Sequence, residues 1–99
     1  MILTIFLAAA AIGTLIVVVL LCWKQILGWF RNKQELMQED KDNMAVMVRQ
    51  SLANGKIREI HGVFNKATEE ILDGEQYEAE QLDEELEKVF GDEDMVVLK

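Results

Sequence analysis

A run of 21 uncharged residues from Ile2 to Cys22 constrains this 99-residue chain more than any other feature. Within it only Thr4 and Thr14 are polar. As an α-helix, the run is about long enough to cross the roughly 30 Å hydrocarbon core of a bilayer. A crossing segment must satisfy every backbone group internally, so helix is expected despite the many Ile and Val residues. The run predicts a transmembrane helix, with residues 1–23 acting as a permanent signal-anchor.

Two alternative interpretations of the run are a cleavable export signal and a lipid-attachment site at Cys22. An export signal has basic residues before its apolar core and small residues after it. Here no Lys or Arg precedes the run, and the small residues Ala8 to Gly13 lie inside it. The bulky Leu21 disfavours lipid attachment at Cys22. Cys22 is better interpreted as a small apolar residue at a helix end, and its modification stays an open question.

Positive charge follows the run and does not precede it. Under the positive-inside rule, this asymmetry predicts an N-terminus outside the membrane and a cytoplasmic C-terminal part. Trp and Phe side chains beside the basic residues are typical of the headgroup region. The predicted membrane interface therefore consists of Trp23, Lys24, Trp29, Phe30, Arg31 and Lys33.

Ala9 and Gly13 form a pair of small residues four positions apart in the predicted transmembrane helix. Such pairs allow two membrane helices to approach closely. They therefore predict a helix–helix contact, although small residues are also common in membrane helices that make no such contact.

Residues 24–53 are predicted to form an interfacial and helical stalk. Met37, Met44 and Met47 lie on an approximate seven-residue recurrence, which covers too few repeats to establish a coiled coil. The charged interruption over residues 39–43 leaves open whether residues 34–53 form one helix or two.

Residues 54–99 are predicted to be a small acidic α+β domain with the order strand, strand, helix, strand. Residues 56–65 and 71–74 suggest a β-hairpin, and residues 95–99 suggest a final strand. Residues 75–91 carry an apolar stripe on an acidic background, which predicts an amphipathic helix. A possible partner-binding stripe on this helix consists of Leu82, Leu86, Val89 and Phe90.

Known catalytic and ligand-binding patterns do not occur in this sequence. The chain has one Cys and one His, and it lacks the phosphate-binding, dinucleotide-binding, zinc-protease and serine-hydrolase motifs. His61 is predicted to be an ordinary strand histidine without a catalytic partner. We therefore expect no enzyme, no catalytic residue, no cofactor, no metal and no small-molecule substrate.

Charge is concentrated at the C-terminal end of the chain. The net charge is −8, and residues 67–99 contain thirteen acidic residues against Lys88 and Lys99. This excess argues against binding to nucleic acid and favours a protein partner. The sequence therefore suggests a non-enzymatic adaptor or regulator that presents an acidic module at the cytoplasmic face. Its expected partners are the lipid bilayer and another protein or a second copy. The alternatives are an accessory subunit assembled through the transmembrane helix, and a phage or bacterial membrane-active lysis or exclusion factor.

Overall fold

Five strands and three short helices make up residues 13–98, the part of the chain that the computed structural model describes. The strands form one mixed sheet in the order β1-β4-β3-β2-β5. β1 runs parallel to β4, and all other neighbouring strands are antiparallel. In chain order the elements are β1 (Leu15–Leu21), α1 (Trp23–Arg31), α2 (Gln34–Gln38), β2 (Asn43–Ser51), β3 (Ile57–Asn65), β4 (Glu70–Leu82), α3 (Glu84–Phe90) and β5 (Met95–Leu98).

The predicted transmembrane helix is wrong, because the second part of the uncharged run is strand β1. Among residues 13–98, no helix combines the length and the apolar character needed to cross a bilayer. β1 contains three consecutive valines, and β-branched side chains favour extended backbone when a neighbouring strand is available for pairing. This finding also overturns three predictions that depended on the helix: the membrane-anchored fold class, the signal-anchor, and the single-pass location with an outside N-terminus.

The predicted helical stalk is also wrong over most of its length. Helix is confined to α1 and α2, and β2 begins at Asn43. Of the residues that suggested a heptad, Met37 lies on α2, whereas Met44 and Met47 lie on β2, a strand that is buried on both faces. Met47 belongs to one core cluster, whereas Met44 and Val48 belong to the other. A strand buried on both sides has a nearly continuous apolar sequence, which a short window does not distinguish from a helix.

Residues 54–99 do not form a separate domain. They contain β3, β4, α3 and β5 in that order, but β5 pairs with β2, and β1 pairs with β4. The sheet therefore incorporates segments that the sequence assigned to the anchor and the stalk. β4 is also longer than predicted, since it continues to Leu82 and leaves only Glu84–Phe90 for the helix.

The three described helices pack on one face of the sheet, where the larger core lies. α1 contributes Ile26 and Phe30, and α3 contributes Leu86 and Phe90. Each pair is four residues apart, the spacing that places both side chains on one side of a helix. The opposite face of the sheet carries a smaller core. The larger core consists of Leu21, Ile26, Phe30, Ala45, Met47, Tyr77, Ala79, Leu82, Leu86 and Phe90, and the smaller of Val46, Val48, Ile60 and Phe64.

Asp83 connects the N-termini of α1 and α3. Its Oδ1 accepts a hydrogen bond from the backbone N–H of Leu86 at 2.8 Å, which caps α3. The same oxygen accepts from the backbone N–H of Trp23 at 3.2 Å, at the start of α1. A carboxylate in this position satisfies free amide donors and is favoured by the helix dipole. Asp83 therefore fixes both helices beside the paired ends of β1 and β4.

Gly62 marks a close approach between β3 and β4. A Cβ at this position would lie 2.5 Å from the carbonyl oxygen of Asp73. Gly62→Ala would therefore have to displace the backbone of β4, and we expect it to lower the free energy of unfolding by about 1–3 kcal/mol. The control is Gly28→Ala in α1, because a Cβ there meets nothing within 4 Å. This control should stabilise the protein by about 0.5–1 kcal/mol. Urea unfolding measures both effects, and equal effects would contradict the close approach.

Candidate functional site

Glu59, His61 and Glu75 form a hydrogen-bonded row on the helix-covered face of the sheet. Glu59 and His61 are two residues apart on β3, so their side chains share a face, and Glu75 pairs with His61 across β4. The Nδ1 of His61 lies 2.9 and 3.1 Å from the two carboxylate oxygens of Glu59. Its Nε2 lies 3.0 Å from Oε1 of Glu75. Because both ring nitrogens face carboxylates, we assign His61 as the doubly protonated cation, which donates at both positions.

Aromatic rings from α1 and β4 surround His61. The ring centroid of Trp29 lies 4.9 Å from that of His61, and the ring of Phe30 lies 5.6 Å away. The ring of Tyr77 stacks on His61 at 6.0 Å. The side chains of Glu59 and His61 have no exposed area. Exclusion of water strengthens the charge interactions within the row.

The protonation of the row follows from burial and mutual attraction. Burial by itself lowers the pKa of His61, but the charge of Glu59 and the hydrogen bonds to both carboxylates outweigh it and raise that pKa to about 9. Burial raises the pKa of Glu59, and attraction to His61 opposes this rise. The hydrogen bond from His61 lowers the pKa of Glu75. At neutral pH His61 is therefore a cation with no ring nitrogen available to accept a proton, unlike a general base.

The row reaches the surface at Glu75. Its carboxylate also accepts a hydrogen bond from the Tyr77 hydroxyl, and Lys33 further lowers its pKa. The Nζ of Lys33 lies 2.7 Å from Oδ2 of Asp73 and 5.1 Å from the centroid of the Trp29 ring. Lys33 therefore connects the end of α1 to the acidic edge of the row.

Protein groups satisfy the hydrogen-bonding capacity of this row. Throughout residues 13–98, every buried side-chain nitrogen and oxygen has a hydrogen-bond partner. In the same residues, no group of three or more His, Cys, Asp or Glu is arranged to hold a metal ion. Because neighbouring protein groups already satisfy the row, we interpret its role as structural: it helps to hold α1 on the sheet.

The second feature that bears on function is the exposed edge strand β1. It lies at the end of the sheet, and no strand of the described part of the chain pairs with its outer side. Leu15, Val17, Val19 and Leu20 are 41%, 63%, 65% and 40% exposed. Natural edge strands usually carry charges, prolines or bulges that prevent pairing with another chain, but β1 contains neither a charge nor a proline. This edge is therefore the candidate interaction site.

The residues predicted to contact the membrane interface lie on α1 or directly after it. Phe30 is buried in the core, Trp29 packs on His61, and Lys33 pairs with Asp73. Lys24 and Arg31 are exposed. α1 packs against the sheet and does not continue a membrane helix. A bilayer contact of Trp23 and these five residues stays a prediction.

The predicted helix–helix pair does not occur on a described helix. Ala9 lies outside the described residues. Gly13 has a φ of 57°, in the left-handed region, and it directly precedes β1. Its carbonyl oxygen accepts a hydrogen bond from the side chain of Gln76 at 3.3 Å.

The predicted partner-binding stripe lies in the protein's own core. Leu82 ends β4, whereas Leu86, Val89 and Phe90 lie on α3. Leu82, Leu86 and Phe90 are buried, and Val89 packs against them. These side chains stabilise the domain and offer little surface to a partner.

Sequence reasoning did not find the row around His61. The alternation of Glu59 and His61 in a predicted strand places both side chains on one face, and this signal was present. Glu75 was assigned to the start of a helix, so its pairing with His61 across two strands was not considered. The exposed edge was missed because the residues of β1 were assigned to a bilayer.

Comparison with protein-family models, curated proteins and solved structures finds no match for this chain. Its function is therefore inferred from its own geometry.

Removing His61 alone should lower the free energy of unfolding more than removing it together with Glu59. His61→Leu leaves the Glu59 carboxylate buried without its cation, which should lower the free energy of unfolding by about 3–5 kcal/mol. Glu59→Leu/His61→Leu removes both charges and should recover a large part of that loss. Lys88→Leu, which breaks an exposed pair with Glu84, is the control and should change stability by less than about 1 kcal/mol. Urea unfolding at pH 7 measures all three, and a double variant no more stable than His61→Leu would contradict the coupling.

Stability should fall at alkaline pH because of His61. Its pKa is about 9 in the folded protein, against 6.5 for an ordinary histidine. The stabilisation is fully present below pH 6.5 and is lost as the pH rises through about 9, since the folded state must then give up the proton it retained. The free energy of unfolding, measured by urea at intervals from pH 6 to pH 10, should show this decline. Glu59→Leu/His61→Leu should lack it, and an identical decline in that variant would assign it to other groups.

Proposed function

We propose that this protein is a non-enzymatic adaptor or regulator that binds a partner protein by adding an extended segment of the partner to β1. The observation that supports this function is the uncharged, exposed edge of β1. A sheet edge presents backbone N–H and C=O groups in the arrangement that an incoming strand requires. In strand addition the main-chain hydrogen bonds supply affinity, and alternate side chains supply specificity.

Both faces of β1 contribute to this proposal. Ile16 and Val18 pack against the larger core and hold the strand in place. Val17 and Val19 alternate with them and are the most exposed apolar side chains of the strand. A partner strand would extend the sheet by one position and place its own side chains beside these two valines, so binding removes part of their apolar surface from water as well as forming hydrogen bonds.

The charge near β1 indicates the chemistry of the partner. Leu21 at the end of β1 pairs with Leu82, directly before α3. Exposed Glu84 and Glu85 lie in the first turn of that helix. A second copy of the chain, with its net charge of −8, would bring like charges to this region. We therefore assign the site to an apolar partner segment that is flanked by Lys or Arg.

An adaptor role fits the state of the buried histidine. Both ring nitrogens of His61 are held by carboxylates, so proton transfer to a substrate would require breaking the row. The two other functions suggested by the sequence, a subunit assembled through a transmembrane helix and a lysis or exclusion factor, both depended on the membrane anchor, which the structure contradicts.

The test uses a labelled synthetic peptide of alternating Val and Thr with two lysines at each end. Fluorescence anisotropy should detect its binding to the full chain, and a central proline in the peptide should weaken it by at least about tenfold. Val17→Glu/Val19→Glu should also weaken binding by at least about tenfold, which is about 1.4 kcal/mol. The glutamates attract the lysines of the peptide, so unchanged or tighter binding would show simple charge attraction and contradict strand addition.

The matched control is Leu72→Glu. Leu72 is 42% exposed on β4, so this variant adds a charge at an apolar surface position outside β1 and should leave peptide binding unchanged. Sedimentation velocity supplies the second measurement. If the natural chain is a dimer and Val17→Glu/Val19→Glu dissociates it, a second copy binds β1. That result would overturn the assignment of the site to a different protein.

A further inference from the structure

A cavity of about 290 Å³ lies between α1, α2 and the strands β2 and β5, at the sheet edge opposite β1. Trp23, Leu27 and Phe30 from α1 and Met37 from α2 supply most of its apolar wall. Its volume is near the lower end of the range of about 300–1,000 Å³ found for small-molecule sites. The cavity is independent of β1 and of the function proposed for it.

The rim of the cavity carries polar side chains. Arg31 and Gln34 line the cavity and are both exposed. Lys33 is paired with Asp73, whereas within residues 13–98 no ion pair involves Arg31. A guanidinium presents parallel N–H donors that match a carboxylate, and an amide supplies a further donor.

The α1 side of the cavity is basic, in contrast to the chain as a whole. Residues 23–33 contain Lys24, Arg31 and Lys33 and no acidic residue, although the net charge of the chain is −8. An anionic ligand group is therefore favoured at this rim and disfavoured over the acidic C-terminal part of the surface. Apolar walls below a basic rim complement a molecule that combines an apolar body with one negative charge.

We propose that this cavity binds a small organic carboxylate with an apolar body, with its carboxylate on Arg31 and Gln34 and its body between α1 and the sheet. An apolar cavity of about 150 Å³ holds benzene. A cavity about twice that size accommodates about ten to twelve non-hydrogen atoms, which is the size of octanoate.

The experiment titrates the full chain with octanoate, octanol and octylammonium by isothermal titration calorimetry. Octanoate should bind more tightly than octanol, and octylammonium should bind most weakly because its charge is repelled by the rim. Octanoate should also change the tryptophan fluorescence, and Trp23→Phe should remove most of that change because Trp23 lines the cavity.

Arg31→Gln tests the carboxylate contact. This variant should weaken octanoate binding by about tenfold and leave octanol binding unchanged. Lys24→Gln is the matched control, since it removes one exposed basic residue of the same helix that does not line the cavity. If both variants weaken octanoate binding equally, the effect comes from the overall electrostatic potential of the helix, and the assigned contact with Arg31 is wrong.

Two substitutions test the apolar chamber. Ala45 lines the cavity from β2, so Ala45→Leu should fill it and abolish binding of octanoate and octanol alike. If Ala45→Leu fails to fold, Leu27→Trp replaces it in the experiment, because its larger side chain narrows the cavity from α1. The proposal is overturned if octanoate does not bind the natural chain at millimolar concentration, or if a folded cavity-filling variant retains the natural affinity.

Discussion

The placement of α1 depends on a buried cation held between two carboxylates. His61 links Glu59 on its own strand to Glu75 on the neighbouring strand, and Trp29 and Phe30 of α1 cover the ring. Removing His61 leaves the Glu59 carboxylate buried without a partner, which is far more costly than losing an exposed ion pair. Because Trp29 and Phe30 pack on the ring of this cation, the row forms part of the surface on which α1 rests.

The row also separates two surfaces that differ in character. On one side of it lies β1, an uncharged strand held by parallel pairing with β4 and exposed along its outer edge. On the other side, Phe30 contacts His61 with its ring and also lines the cavity beneath α1. A strand edge suits an extended peptide, because backbone groups are repeated along it. An open apolar cavity with a polar rim suits a compact molecule. Both surfaces belong to the same sheet, but they suit ligands of different chemistry.

Sequence patterns predicted some local elements and failed where pairing partners decide the structure. The first strand of the hairpin, over residues 56–65, agrees closely with β3 (Ile57–Asn65), because turn residues bound an apolar alternation. The stretch over residues 75–82 was predicted as helix and is strand. Its acidic residues have good helix propensity, but Tyr77 and Ala79 are placed by β3 and β1 on either side. The uncharged run was long enough for a bilayer, and only the presence of β4 as a partner makes its last residues a strand. The row around His61 joins residues on two strands, so it was visible only once their register was known.

The positive charge after the uncharged run has a different physical explanation from the one that the sequence suggested. Lys24, Arg31 and Lys33 were interpreted as signs of a cytoplasmic flank, yet the helix that carries the first two packs its Trp29 and Phe30 on the buried His61. An acidic residue on the buried side of α1 would add a like charge to a row that already holds two carboxylates for one imidazolium. Lys33 lowers the pKa of Glu75 and pairs with Asp73, so it compensates the excess negative charge directly. Arg31 is exposed and lines the cavity. A helix without acidic residues adds no negative charge beside a row that already has two carboxylates for one imidazolium, and, among residues 13–98, Arg31 gives the lining of the adjoining cavity its one charged side chain.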